Sequence, residues 1–346
     1  MQQYLNTQVY FNTQANHLID LAKNYQSVIV VCDKNSGQFC LPKFRELYAS
    51  NIEFSTIIFD AGEEHKNLNT ANFIWQNLLQ NHTNKKSLII ALGGGVVCDI
   101  TGFAASMFMR GIDFVFFPTT LLAMVDASIG GKNGIDLANI KNMVGTITQP
   151  KAIFIDSIFL QTLPIHQLKN GYAECLKHAL ITGINEFEKL DFNDAQSIEQ
   201  IKLSAKIKMQ IVEADEFETN QRKALNVGHT IAHAIESHGL ENAEVPIEHG
   251  HAVAVGIICE AYISLKKNML TQQEFEAIHT KIKATFEKHI FEEYSIETML
   301  EIMQHDKKND SQIRFSLLNG IGNVAINETA SDDLIRESLL FYLRKY

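Results

Sequence analysis

The chain has 346 residues, 46% of them hydrophobic and 20% charged, with a formal net charge of -10. That length exceeds one ordinary core and predicts two domains, in a composition typical of soluble globular proteins. The acidic balance excludes a non-specific nucleic-acid binder, which needs clustered basic residues, and no apolar run approaches the length of a membrane span.

The opening Met1-Gln-Gln-Tyr-Leu-Asn6 has neither the basic nor the apolar region of a secretory signal. In chain order, β-branched runs predict strands over 27–32, 55–59, 87–92, 114–117 and 152–155. The stretches between them are long enough for the crossover helices of parallel βαβ units. Near Asp156 the character changes, and helical periodicity dominates from 160 to 304. Pro164 suits the start of a helix carrying Ala173-Glu-Cys-Leu-Lys-His178, 239–246 reads as a loop, and strand-like runs return at 313–318 and 324–326. The expected architecture is an α/β N-terminal nucleotide-binding domain over 1–158 with a mostly parallel sheet, then a mostly α-helical C-terminal metal-binding domain over 159–346. Five scattered cysteines, Cys32, Cys40, Cys98, Cys175 and Cys259, form no C-x-x-C pair. Such a set fits reduced thiols in a cytoplasmic protein rather than a disulfide framework or a thiolate zinc site.

The run 88–92 spills into Gly93-Gly94-Gly95, then into Val96-Val97-Cys98-Asp99 and a helical pattern. A strand ending in glycines before a helix lets backbone N–H groups crowd an anion, where the helix dipole also favours negative charge. Gly93-x-Gly95-x-x-Cys98 matches a dinucleotide fingerprint except at its last position, although a glycine-rich strand end could equally be a tight turn. Three other strand ends add polar groups. Asp33 is placed for a ribose hydroxyl, Gly62-Glu63-Glu-His-Lys66 follows the second strand, and Pro118-Thr119-Thr120 follows the fourth. Four such ends predict one ligand laid along the sheet edge. Downstream, Val125-Asp126-Ala-Ser-Ile-Gly-Gly-Lys132 and Lys141-Asn142 bring further charge, with glycines that permit close approach to the backbone.

A metal site is the second expectation. His229, His233 and Glu236 share a helical face at i, i+4 and i+7, Glu248-His249-Gly250-His251 adds two imidazoles, and Glu174 pairs with His178 at i, i+4. Imidazole and carboxylate are the ligands of catalytic zinc, which keeps one position open. Any one of these histidines alone would read as a surface or core group; the set reads as a site. Spacing does not choose between His229 and His233, or between His249 and His251. Lys132, Lys141, Lys177, Lys208, Arg222, Lys307 and Lys308 are cations that would focus positive potential on a polyanionic substrate in an otherwise acidic protein.

These motifs in this order resemble the 3-dehydroquinate synthase family of the sugar-phosphate cyclases. The resemblance rests on L-G-G-G-V-V-C-D-I-T-G-F-A-A, F-P-T-T-L-L-A-M-V-D-A-S-I-G-G-K, K-N-M-V-G, G-Y-A-E-C-L-K-H, N-V-G-H-T-I-A-H-A-I-E, H-G-H-A-V-A-V-G and D-K-K. It implies metal ligands at Glu174, His229 and His249, holding Zn²⁺ or Co²⁺. It implies NAD contacts at Asp33, Gly62, Glu63, Lys66, Gly94, Gly95, Val96, Val97, Cys98, Asp99, Thr119, Thr120, Lys132, Lys141, Phe159, Leu160, Gln161 and Thr162. Substrate and catalytic groups would be Asp126, Lys132, Asn142, Lys177, Lys208, Arg222, Asn226, His233 and a lysine of the Lys307–Lys308 pair, while Arg110 would reach the site of a neighbouring subunit in a homodimer. The chain departs from the family at Cys98, where glycine is usual, and in the additional imidazoles His178 and His251. The implied reaction converts 3-deoxy-D-arabino-heptulosonate 7-phosphate to 3-dehydroquinate and phosphate. Rival readings are a 2-deoxy-scyllo-inosose synthase-like cyclase and a metal-dependent glycerol or alcohol dehydrogenase. Lys208, Arg222 and Asn226 suit a carboxylate-bearing substrate better than either rival's.

Overall fold

Apolar and β-branched runs build the first unit. The computed structural model describes residues 2–137, 140–242, 247–292, 295–305 and 312–346. They form two units: Met1–Leu168 with Gln196–Met209, and Lys169–Ala195 with Gln210–Tyr346. Strands of the first unit are β1 (Gln2–Tyr4), β2 (Thr7–Phe11), β3 (Ser27–Asp33), β4 (Ser55–Phe59), β5 (Ser87–Gly93), β6 (Phe114–Pro118), β7 (Lys132–Leu137), β8 (Ile140–Ile147) and β9 (Ala152–Ile155). Seven of them form one sheet in the order β1-β2-β9-β6-β5-β3-β4. Only the β1–β2 pair is antiparallel. Every residue of β5 and β6 is buried, which explains why these strands read as continuous apolar runs rather than alternations.

The chain leaves β3 for β4 on one side and returns to β5 on the other, continuing to β6 and β9. The order therefore reverses between β3 and β5, and ligands of open α/β sheets bind outside the strand carboxyl ends at such a point. The four strand ends singled out in the sequence belong to β6, β5, β3 and β4, which are adjacent and parallel. Their polar groups consequently share one sheet edge.

The predicted strands 27–32, 55–59, 87–92, 114–117 and 152–155 recur within a residue of their expected ends. β1, β2 and the β7–β8 hairpin were not foreseen. β8 is largely exposed, so no buried face imprints a period of two on its sequence. β2 pairs with β9 in parallel, Gln8 facing Ala152, a long-range contact that local pattern does not announce.

The second unit is mainly helical. A helix starts at Ile165, just after Pro164, and runs to Thr182. Others are His229–Asn242, His249–Lys266, Gln272–Thr285, Ser295–His305 and Asp332–Lys345, with an antiparallel hairpin of β10 (Arg314–Leu318) and β11 (Val324–Thr329). From Ala252 to Ser264 every residue of His249–Lys266 is buried, as expected of a helix apolar on all sides. The expected loop at 239–246 is corrected over its first part. Helix continues through Gly239 to Asn242, while 243–246 lie outside the described residues. Buried Ile231, Ala232, Ala234 and Ile235 anchor that helix, and their packing outweighs the roughly 1 kcal/mol that one interior glycine costs. Among the described residues no helix is long and apolar enough to cross a membrane.

Candidate active site

The first unit carries a glycine turn at the reversal point. Gly94 caps the helix Gly95–Met107, and no side chain closes that cap. The first-turn N–H groups of such a helix have no intrahelical acceptor and favour an anion. A Cβ on Gly93 would lie 2.6 Å from that of Val97, so only glycine lets the strand turn this tightly into the helix. The Thr119 N–H donates to the Gly93 carbonyl at 2.9 Å, tying the end of β6 to the turn. Cys98 is fully buried, with Sγ 3.9 Å from the Gly93 oxygen, and burial pushes its thiol well above the ordinary range. Val97, Phe159 and Leu160 are also buried. Gln161 and Thr162, by contrast, are exposed.

Beside the turn lies a charged network. Lys66, only 5% exposed, sits 2.7 Å from Asp99 and 3.9 Å from Glu63, and donates to Asn142 Oδ1 at 2.6 Å. Burial works against its charge, but Asp99 and Glu63 outweigh that and hold its pKa above the usual lysine value. Asn142 has φ +53, and its N–H donates to Asp136 at 2.7 Å. Asp33 caps the short helix after β3, accepting from the Ser36 N–H and hydroxyl at 2.7 Å each. Lys208 donates to both the carboxylate and the carbonyl of Asp126 at 2.7 Å. Lys132 opens β7 as an exposed residue, and Lys141 lies on β8. Thr120 Oγ1 accepts from the Ala123 N–H at 3.2 Å.

In the second unit, three ligand-capable groups converge. Glu174 is completely buried, and its Oε1 lies 3.5 Å from Nε2 of both His229 and His249. Bonds of about 2.0–2.2 Å in a tetrahedral zinc site put ligand atoms roughly 3.3–3.5 Å apart, so this donor set fits a divalent ion. The outer ring nitrogens are held as such a site requires. Nδ1 of His229 donates to the Val227 carbonyl and Nδ1 of His249 to Glu236, each at 3.2 Å. An acceptor at Nδ1 fixes the tautomer that leaves the Nε2 lone pair for a metal.

Charges at this cluster follow from burial and neighbours. Burial, then Lys177, pushes His229 down to about 3, so its ring is neutral. Burial opposes charge on His249 too, but Glu174 and Glu236 carry its pKa up to about 10; a cation bound there would take the place of that proton. Glu174 stays ionised despite burial because Lys177 and the imidazoles hold it well below the usual carboxylate range. Lys177, 2% exposed, forms an ion pair with Glu174.

The imidazoles that spacing left open separate here. His233 is exposed, its ring perpendicular to that of His229 with centroids 5.4 Å apart. His251 Nε2 instead contacts the Glu287 carbonyl at 2.7 Å, and His178 is fully buried. Arg222 is buried; its N–H donates to Asp215 at 3.1 Å, and its guanidinium to the Glu216 carbonyl. Asp215, despite the cost of its partial burial, is held down to about 2 by the N–H groups of Asn220, Thr219 and Arg222. Asn226 donates to Glu218 at 2.9 Å. Asp215, Glu218 and Val227 escaped the sequence reading, because their part is set by hydrogen bonds rather than spacing. Arg110 is exposed, and Lys307 and Lys308 lie outside the described residues.

Comparison with known proteins agrees in both units. Residues 56–170 match the family description "3-dehydroquinate synthase N-terminal", and 171–309 match "3-dehydroquinate synthase C-terminal". The 3-dehydroquinate synthase of Parabacteroides distasonis is 36% identical over 93% of this chain and 93% of its own length. A crystal structure of 2-deoxy-scyllo-inosose synthase with carbaglucose-6-phosphate, NAD+ and Co2+ has a TM-score of 0.83 at 25% identity, covering 98% of each chain. A probable glycerol dehydrogenase from Sinorhizobium meliloti shares the fold alone, at TM-score 0.65 and 15% identity over 99% of this chain and 98% of that one.

Proposed function

The chain belongs to the 3-dehydroquinate synthase family, and from that premise we propose how its residues divide the work. The enzyme converts 3-deoxy-D-arabino-heptulosonate 7-phosphate to 3-dehydroquinate and phosphate by transient oxidation, elimination, re-reduction and aldol closure, with no net NADH formed. When bound, NAD⁺ takes and returns the hydride while a divalent cation, Zn²⁺ or Co²⁺, polarises the alcohol being oxidised.

Glu174, His229 and His249 hold the cation, and the observation that carries this reading is the single Glu174 oxygen 3.5 Å from two oriented Nε2 atoms. Val227 and Glu236 keep each ring in its ligating tautomer, and Lys177 offsets the Glu174 charge. The helix start at Gly94–Val97 takes the dinucleotide pyrophosphate through its N–H groups. Lys66 favours the ionised form of Asp99 and donates a hydrogen bond to Asn142, while Asp33, Glu63, Thr119, Thr120, Lys132 and Lys141 complete the cofactor and substrate contacts. Lys208 and Arg222 grip the substrate's anionic groups, Asp126 orients Lys208, and Asn226 is a further polar contact for the substrate. His233, exposed next to His229, handles protons. The decisive assay supplies the heptulosonate phosphate with catalytic NAD⁺ and Zn²⁺. Phosphate should appear without lasting NADH absorbance, and a chelator should stop it; stoichiometric NADH would instead mean a dehydrogenase.

A homodimer in the cytoplasm is the proposed working form. Leu137, Ile140, Met143 and Ile147 are about half exposed along the β7–β8 hairpin, as are Met107 and Met109. Such an apolar surface suits a second copy of the chain. Met109 and Arg110 have consecutive positive φ values, 49° and 61°. Backbone in that region costs about 1–3 kcal/mol per residue and is kept where function requires it. None of the five cysteines is joined in a disulfide, which suits a reducing compartment. If Arg110 serves the partner's site, mixing equal amounts of Arg110→Ala and Glu174→Ala chains should restore about a quarter of the sites by random pairing. A mixture as inactive as its parts would remove the trans assignment.

A further inference from the structure

We propose that Glu260 is a positioning residue, holding the two histidine-bearing helices in the register that brings His229 and His249 together. The inference rests on the cation site proposed above. Glu260 touches neither of those histidines in the contacts that define it; it acts through the backbone.

His229 and His249 are the first residues of their helices, His229–Asn242 and His249–Lys266. Helix starts fray unless their N–H groups find acceptors. Glu260 belongs to the second of these helices and supplies acceptors to the first. Its Oε2 accepts from the Gly228 N–H at 2.6 Å and its Oε1 from the Ile231 N–H at 3.3 Å. The carboxylate therefore brackets His229, one bond before it and one after. At 2% exposure an ionised carboxylate is costly unless charge-assisted hydrogen bonds answer it, and a helix start with its positive dipole end is a fitting partner.

The backbones also meet closely at this place. Gly228 has φ +82, and a Cβ there would lie 3.1 Å from both the Ile257 nitrogen and the Val253 carbonyl oxygen. A Cβ on Gly256 would lie 3.2 Å from the Ala232 nitrogen. With no side chains as spacers, a small slide of one helix is transmitted directly to the Nε2–Oε1 distances. The sequence shows an apolar window from Ala252 to Cys259, but the glutamate following it looks like any polar residue on a helix.

The test uses the full-length protein and Zn²⁺ alone. Zn²⁺ affinity is measured by competition with a chelating dye, and melting temperature is read with and without Zn²⁺. Glu260→Gln keeps the volume but sets an amide NH₂ against one of the two backbone N–H groups. We expect its Zn²⁺ dissociation constant to rise about tenfold, as for other groups that orient metal ligands. The gap in melting temperature between loaded and metal-free protein should narrow accordingly, with phosphate release recovering at saturating Zn²⁺. If the residue is only structural, both melting temperatures fall together at an unchanged dissociation constant, and the proposal is overturned. Should the Gln variant not fold, Glu260→Asp keeps the charge but shortens its reach, and the same two readings apply. Glu174→Ala separates the premises. Wild-type zinc binding that survives Glu174→Ala removes the cation site itself, whereas binding lost there but unchanged in Glu260→Gln removes only the role of Glu260.

Discussion

Replacing Glu174 by alanine is expected to abolish tight zinc binding and lower phosphate release by roughly a thousandfold, about 4 kcal/mol of transition-state stabilisation. The loss is larger than that of one ligand. Glu174 supplies the one oxygen that faces both His229 and His249, and it is the ion-pair partner of the buried Lys177. Without it, an ammonium only 2% exposed remains facing two imidazoles, and a buried charge stripped of its partner costs about 3–5 kcal/mol. That ammonium would repel an incoming cation as well. Glu174→Gln separates the effects, since it keeps the volume and removes the charge. Metal content after gel filtration and calorimetric titration with NAD⁺ give the readout. NAD⁺ affinity should be retained; stoichiometric zinc in either variant would mean that other residues are the ligands.

Lys66→Met should weaken NAD⁺ binding at least about tenfold and destabilise the protein by about 3 kcal/mol, leaving zinc content untouched. The lysine stands 2.7 Å from Asp99, whose side chain is 17% exposed, and holds Asn142 at 2.6 Å. Removing it leaves a carboxylate with little solvent at a place proposed to receive a pyrophosphate, where negative charge repels. The pH dependence has a definite sign. The folded pKa of Lys66 is raised above 10.5, so its contribution is fully present below pH 10.5 and lost as pH rises through the folded value. The stability difference between wild type and variant should thus be constant near neutrality and shrink only in strong alkali. Equal NAD⁺ affinities in the two proteins would exclude Lys66 from the cofactor site.

Much of the architecture was legible because burial writes itself into local pattern. β5 and β6 are buried throughout and read as unbroken apolar runs; the long helices kept their period. β8 was not legible, since a strand exposed on most positions leaves no alternation. β1 and β2 were missed because their pairing with β9 depends on a contact far along the chain. The helix past Gly239 was missed because propensity is a weak guide where tertiary packing decides.

By itself the sequence determined the chemistry on offer: a glycine turn after an apolar strand, two histidines and a glutamate on one helical face, a second histidine pair, and a set of cations in an acidic chain. Tertiary structure alone decided which imidazoles converge. His229 and His233 share a helical face, so spacing treats them alike, and His249 and His251 differ by two residues on one turn. Their hydrogen-bond partners distinguish them: the nearby Val227 carbonyl on the outer nitrogen of His229 and, from further along the chain, Glu236 on that of His249 and the Glu287 carbonyl that engages His251. The physical reason is that a ligand is defined by where its lone pair points, and that direction is set by hydrogen bonds across the fold, which leave no periodic trace in the chain.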